Sequence, residues 1–206
     1  MRVLFAAAIL AIALVTCPAA QTSQSANRSD SLEQAFVTNG RIRMDLSAGE
    51  YRISGTPDNR IRISWTVRDA DQLRKVRARA DVRGSEATIV TDGPQNQFRV
   101  NIDIPARADL RIRLTAGELR IDRVEGNKNI SSHAGEIDID VGNADDYRRV
   151  EASVWAGELH MGPFGRSKEG LFRSVDWNGK GSYRLEAHLK AGELRFHGNP
   201  ARVPER

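Results

Sequence analysis

The tripeptide Ala-Gly-Glu occurs five times in this 206-residue chain, each time followed by an apolar, a polar and another apolar residue. Five copies in one context indicate a repeated structural unit, and such a unit buries its apolar face only by stacking on its neighbours. The copies are LSAGEYRI (46–53), LTAGELRI (114–121), SHAGEIDI (132–139), VWAGELHM (154–161) and LKAGELRF (189–196). The repeat therefore restricts the chain to folds that stack one short element.

The residues around each copy alternate between apolar and polar, which is typical of half-buried β-strands. The apolar phase shifts by five across Ala-Gly, for example from Leu114 to Leu119. Either Ala-Gly is a two-residue hairpin loop, or one strand bends there while both arms face a common interior. Two-residue hairpins need positive φ at the first central position, where alanine is disfavoured. A corner needs positive φ only at glycine. The sequence therefore favours the corner, with structural glycines at Gly49, Gly117, Gly135, Gly157 and Gly192.

The spacing of these glycines predicts how the copies stack. They lie 68, 18, 22 and 35 residues apart. Spacings of 18 and 22 suit one turn of a β-solenoid, 35 suits two turns, and 68 suits three or four. The longest gap contains strand-like runs at 60–68, 76–82, 86–90 and 98–104, and 69–76 is the only weak helical candidate. We predict an all-β fold, a β-solenoid or β-helix-like stack of short strands with Ala-Gly-Glu corners. An antiparallel β-sandwich of hairpins is the alternative.

The run IPARADLRIRLTAGELRIDRVEGNKNISSHAGEIDID (104–140) combines an Ile-Pro start, a Leu-x-Ile step, Ala-Gly-Glu and a second step from Gly126 to Ile130. This pattern resembles the putative-adhesin β-repeat family, which consists of exported bacterial domains of unknown function. The likeness extends over roughly residues 36–198. It implies a β-solenoid-like fold, export and no catalytic residues, and it supplies no ligand because fold analogy alone does not define function.

The N-terminus has the composition of a secretory signal peptide. A positive Arg2 precedes an apolar run of 14 residues, followed by small residues up to Ala20. We expect a signal peptide at 1–20, a flexible polar spacer at 21–34, one β-repeat domain at 35–200 and a short tail at 201–206. The predicted location is extracytoplasmic, with no transmembrane segment after cleavage. A lipid anchor on Cys17 is the less favoured form, because Thr16 is a poor match to the small residue that usually precedes such a cysteine.

The repeated glutamates are the first candidate site. Stacked corners would place their carboxylates in one column, where either a cation such as calcium or neighbouring basic side chains must offset the repulsion. We favour ion pairs with the residues two positions further on, Arg52, Arg120, Arg195 and His160. The four histidines have no metal-ligand spacing, and nucleophile and phosphate-loop motifs are absent from the sequence. The sequence therefore predicts no catalytic residue, no cofactor and no metal.

Trp155 is the second candidate, since it precedes the fourth Ala-Gly-Glu at a position that should face outward. The weak candidate surface site is Trp155, Glu118, Glu136 and Glu158. A formal charge of +4 with interleaved acids does not favour nucleic acid. We predict an exported, non-enzymatic, adhesin-like protein of the cell envelope. The sequence does not identify its ligand, and the candidate partners are an envelope glycan or protein. A polysaccharide lyase or hydrolase on a parallel β-helix is the alternative.

Overall fold

The computed structural model describes residues 28–94 and 98–201. The predicted signal peptide, Cys17 and residues 202–206 lie outside this range. The described residues are almost entirely β-structure, which confirms the all-β prediction. The strands are β1 (Arg28–Ala35), β2 (Gly40–Leu46), β3 (Gly49–Thr56), β4 (Arg60–Val67), β5 (Arg77–Arg83), β6 (Glu86–Asp92), β7 (Arg99–Pro105), β8 (Ala108–Asp122), β9 (Lys128–Asn143), β10 (Tyr147–Met161), β11 (Arg166–Asn178) and β12 (Tyr183–Asn199). The weak helical candidate is a single turn, α1 (Ala70–Leu73), and 3₁₀ turns lie at Ala144–Asp146 and Gly162–Phe164.

Four long strands, β8, β9, β10 and β12, pass through an Ala-Gly corner without interruption. We call the part before the glycine the first arm and the part after it the second arm. The corner glycines have φ values of +115° at Gly117, +124° at Gly135, +134° at Gly157 and +128° at Gly192, as the corner interpretation requires. Gly49 is not among the glycines with positive φ, and the first copy is a break between β2 and β3.

Both arms of a bent strand face the same interior. In β8 the side chains of Leu114 and Leu119 are 2% and 1% exposed, although they lie on opposite sides of the corner. Leu114 pairs with Leu46 and Ser132 of neighbouring strands and not with Leu119. The hairpin interpretation of Ala-Gly is therefore wrong, because pairing across the loop would join these two leucines.

The bent strands pair in parallel and in register, glycine beside glycine. The copies do not stack in chain order: β12, which carries the fifth copy, lies between β9 and β10. The strands form one mixed sheet, whose two sets of arms enclose the core. This geometry is compatible with a sandwich, but neighbouring repeats are parallel and not antiparallel as the sandwich alternative required. A solenoid with sequential turns is not what the strand order shows.

The two long gaps in the repeat contain antiparallel pairs, and the gap of 68 also contains one further parallel step, in which β6 lies beside β2 and β7 beside β3. In the gap of 68, the predicted strands are confirmed as β4 to β7, but β5 runs antiparallel to β6 and β4 antiparallel to β7. In the gap of 35, β11 runs antiparallel to β10. Gly84 and Gly165, with φ of +60° and +68°, lie in the short connections of two of these hairpins. Connections this short can join only antiparallel strands, so the gaps contain fewer parallel turns than their lengths predicted.

The N-terminal strand corrects the predicted spacer. Residues 28–34 of the polar segment belong to β1, which pairs antiparallel with β4 along its whole length. Leu32 packs against the core, and Glu33 accepts hydrogen bonds from Arg60 and Arg62 at 2.7 and 3.1 Å. These hydrogen bonds lower the pKa of Glu33. A polar run can form a strand when the edge of an existing sheet offers its backbone groups as partners.

Candidate functional site

The stacked corners bring the repeated residues into straight columns across the sheet. The register aligns Gly49, Gly117, Gly135, Gly192 and Gly157 in that order. The backbones approach so closely that a Cβ atom added to Gly135 would overlap the carbonyl oxygen of Gly117, and the other bent strands show the same overlap with their neighbours. Glycine is thus required at these corners, because φ is positive and the neighbouring backbone leaves no room for a side chain. The residues on either side of each glycine are therefore aligned from strand to strand.

The glutamates form the first column, on the outer face of the second arms. Their order is Glu50, Glu118, Glu136, Glu193 and Glu158. Adjacent strands in a sheet are about 4.8 Å apart, so these carboxylates are close neighbours. The column is only partly neutralised, because the described residues offer no ion pair to Glu118 or Glu136.

The residues two positions after each glutamate form a second column, parallel to the first. It contains Arg52, Arg120, Asp138, Arg195 and His160. Arg195 pairs with Glu193, and His160 pairs with Glu158, as predicted. Arg120 instead contacts Asp122 at 3.1 Å, and this hydrogen bond raises the pKa of Arg120. Arg52 approaches the same carboxylate at 4.0 Å. The predicted pairing therefore fails for these two arginines, because Asp122 is a nearer carboxylate on the same face.

An open cleft of about 430 Å³ is lined by the first column from Glu50 to Glu136 and by the second from Arg52 to Arg195, and β7 contributes Arg99 to it. The guanidinium of Arg99 bonds Glu50 with an Nε–Oε2 distance of 2.5 Å, which raises the pKa of Arg99. Charges of both signs alternate along this surface. Exposed pairs of this kind contribute about 0–1 kcal/mol each to stability. The cleft is therefore a charged face with little energetic role in folding.

At one end of the columns, three potential metal ligands converge. Nε2 of His160 lies 2.9 Å from Oε2 of Glu158 and 3.6 Å from Oε1 of Glu193. The three donor atoms lie within 4.8 Å of one another. Sequence reasoning missed this cluster, because Glu193 is remote from the other two residues in the chain. The signal it could have used is His160, which stands where three other copies carry arginine.

Trp155 faces outward, as the alternation predicted, and is 56% exposed. Its ring makes an edge-to-face contact with Phe172, with centroids 5.4 Å apart and planes at 89°. Phe172 and Leu171 of β11 are 69% and 60% exposed. Three of the four large exposed apolar residues in the described chain thus lie together, and we call Trp155, Leu171 and Phe172 the aromatic ridge. Of these three residues, only Trp155 could be recognised from the sequence pattern.

Phe172 adopts a conformation that bulky residues rarely take, with φ of +53°. The register of β11 with β10 places Phe172 opposite Trp155, between the pairs Val154–Arg173 and Ala156–Leu171. The side chain is mostly exposed, so burial in the core does not offset the cost of this backbone conformation. Residues in such rarely populated conformations cluster at functional surfaces.

The other tryptophans do not form a comparable surface. Trp65 is 8% exposed, and Trp177 packs on Phe164 with ring centroids 4.9 Å apart. The remaining histidines are also satisfied locally: Nδ1 of His188 lies 2.7 Å from Ser153 Oγ, and Nδ1 of His197 lies 2.7 Å from Asp138 Oδ1. His133 is exposed at a corner. The aromatic ridge is therefore the distinctive apolar surface of the described chain.

One buried basic group lies inside the core. Lys128 is 1% exposed and occupies an interior position between Leu110 and Leu185 of the neighbouring strands. Its Nζ donates a hydrogen bond to Tyr147 Oη, at 2.8 Å, and approaches the carbonyl oxygen of Gly126 at 3.4 Å. Burial lowers the pKa of Lys128 to about 8, against the opposing effect of nearby carboxylates. The ammonium is enclosed, so we regard it as part of the packing and not as a binding group.

Several solved structures align with most of this chain. A putative cell adhesion protein from Clostridium sporogenes matches 85% of this chain and all of its own, with a TM-score of 0.54 and 13% identity. A putative adhesin from Parabacteroides distasonis matches 84% of this chain and 71% of its own, with a TM-score of 0.31 and 14% identity. A putative adhesin from Bacteroides fragilis matches 84% of this chain and 99% of its own, with a TM-score of 0.26 and 8% identity. The likeness to the clostridial protein is one of fold.

No protein-family model and no curated protein matches the chain. The likeness to the clostridial protein supports the all-β fold. Among the described residues, no helix is long and apolar enough to cross a membrane.

Proposed function

We propose that the protein is an exported, non-enzymatic, adhesin-like protein of the cell envelope that binds a glycan through the aromatic ridge. The exposure of Trp155, Leu171 and Phe172 in one place carries the proposal, because contiguous exposed apolar patches mark interaction sites. The fold likeness to a protein named for cell adhesion is in keeping with it.

The geometry of the ridge suits a sugar ring. Trp155 and Phe172 meet nearly at right angles and form a corner of two aromatic surfaces. The C–H face of a pyranose can pack on one such surface while its hydroxyls stay in water. The register places the exposed Lys190 beside Trp155, since Val154 pairs with Leu189 and Ala156 with Ala191. A cation at this position favours sugars that carry carboxylate or phosphate groups.

Replacing Trp155 with alanine is expected to weaken glycan binding about 30-fold, as the loss of a central aromatic contact of about 2 kcal/mol would do. The measurement is a glycan array followed by calorimetry with the best acidic oligosaccharide, for the wild type and the variant. Val37→Ala is the matched control, because Val37 is 48% exposed but lies outside the ridge.

Equal affinity of the Trp155→Ala variant and the wild type would contradict the ridge as the binding site, and failure to bind any glycan would contradict the proposed function. Shortening of the oligosaccharide during the experiment would favour the polysaccharide-active enzyme instead. Export is tested separately by N-terminal sequencing of the protein from the periplasm or culture medium, which should begin near Gln21.

A further inference from the structure

We propose that Glu158, His160 and Glu193 form a zinc site on the outer face of β10 and β12. The site is distinct from the aromatic ridge and does not depend on the proposed glycan binding. Its ligands would be one imidazole nitrogen and two carboxylate oxygens, with the fourth position of a tetrahedral ion left to water.

The sheet register builds this arrangement. β10 and β12 are parallel neighbours, with Glu158 beside Glu193 and His160 beside Arg195. Glu158 and His160 are two residues apart on one strand, so both side chains project from the same face. Both carboxylates already approach the same atom, His160 Nε2, at 2.9 and 3.6 Å. A metal ion bound by all three groups would take the place of the hydrogen bond between His160 and Glu158.

The repeat shows that His160 is the distinguishing residue of this site. The first, second and fifth copies carry Arg52, Arg120 and Arg195 at the equivalent position, and the third carries Asp138. An arginine offers only a fixed positive charge, whereas a neutral imidazole offers a metal-binding lone pair. Only in the fourth copy, therefore, does the column of glutamates meet a nitrogen ligand.

The donor set favours zinc over calcium. Zn²⁺ binds both imidazole nitrogen and carboxylate oxygen, at about 2.0–2.2 Å per ligand. Calcium takes six to eight oxygen ligands and does not favour imidazole nitrogen. The side chains of Glu158, His160 and Glu193 are 54%, 33% and 25% exposed, which leaves the site open to ions from solution.

Arg195 competes for one ligand, because its guanidinium contacts Glu193. The next strand, β9, offers it other carboxylates: Glu136 lies beside Glu193 and Asp138 beside Arg195. Glu136 has no ion-pair partner within the described part of the chain. Zinc binding therefore requires Arg195 to turn from Glu193 toward Glu136, a change of rotamer at an exposed side chain.

The test is calorimetric titration of the untagged, chelator-treated protein with Zn²⁺. We expect one zinc ion per chain and a higher melting temperature when zinc is present, because the ligands come together only in the folded state. Calcium should produce neither effect. His160→Arg should weaken binding more than tenfold, since even the loss of an outer partner of a metal ligand costs 10–100-fold.

His160→Arg is a favourable variant because three other copies already carry arginine at this position. Glu158→Gln provides a second variant, at an exposed position, and should weaken binding in the same way. His197→Ala is the matched control: His197 lies on the same face but contacts only Asp138. Three results would each overturn the proposal. The first is wild-type zinc affinity in both His160→Arg and Glu158→Gln, the second is a loss of zinc affinity in His197→Ala as large as in these two variants, and the third is no zinc binding by the wild type.

Discussion

Replacing Gly135 with alanine is expected to destabilise the fold by about 2–6 kcal/mol, the sum of a backbone term and a steric term of about 1–3 kcal/mol each. The backbone term arises because Gly135 has φ of +124°, which residues with a side chain rarely adopt. The steric term arises because the new Cβ would overlap the backbone of Gly117. Gly135 lies in the middle of the stack, so neither neighbouring strand can move away without breaking its own register.

Denaturant unfolding followed by circular dichroism measures this loss. Gly84→Ala is the matched control, because Gly84 also has positive φ, at +60°, but nothing lies within 4 Å of an added Cβ. That variant should lose only the backbone term, about 1–2 kcal/mol. If Gly135→Ala were as stable as Gly84→Ala, the close approach of the stacked glycines would have no energetic importance.

The second large effect concerns Lys128, which should make the protein more stable as the pH rises from 7 to 9.5. Burial lowers its pKa to about 8 in the folded state, whereas the lysine of the unfolded chain keeps its ordinary pKa of 10.5. Between these values the unfolded state binds the proton and the folded state does not, so the free energy of unfolding rises with pH. The expected gain is about 2 kcal/mol by pH 9.5, at up to about 1.4 kcal/mol per pH unit.

The charged groups around Lys128 moderate this effect and do not remove it. The carboxylates of Asp140, Asp109 and Glu125 favour the ammonium, but burial is the larger influence on its pKa. Burial also raises the pKa of Tyr147 above its ordinary value of 10. Tyrosine ionisation in the unfolded chain therefore offsets the gain above pH 10, and the measurement should stop at pH 9.5.

Removing Lys128 together with Tyr147 tests whether Lys128 causes the rise in stability with pH. In Lys128→Met with Tyr147→Phe, both polar groups go together, so neither is left unsatisfied. We expect the variant to be at least as stable as the wild type at pH 7 and to show a flat profile up to pH 9.5. Lys190→Met, at an exposed position, should keep the wild-type slope. A flat wild-type profile would mean that Lys128 is not held in the low-dielectric site described here.

Much of the local structure could be predicted because its signals are local. Alternation with a period of two assigned the strands around each repeat, and β4 to β7 were found within a residue or two in the same way. The outward position of Trp155 also followed from alternation. Polar β1 was missed because its partner, the edge of β4, lies outside any local window.

The candidate sites depended on pairings that the sequence does not encode locally. Phe172 reaches Trp155 only because β11 folds back on β10. Glu193 reaches His160 only because β12 inserts beside β10. Spacing along the chain suggested sequential turns instead, and it therefore placed neither residue near its partner.

The sequence by itself determined the strand alternation and the corners, because φ at Gly117 and the burial of its flanking residues depend on a few neighbouring residues. The tertiary structure alone decided the order of the repeats, with β12 between β9 and β10. The physical reason is that all five copies share one apolar pattern, so any two of them can pair in register with similar burial. Short antiparallel connections and the packing of the whole core then select one order among these pairings.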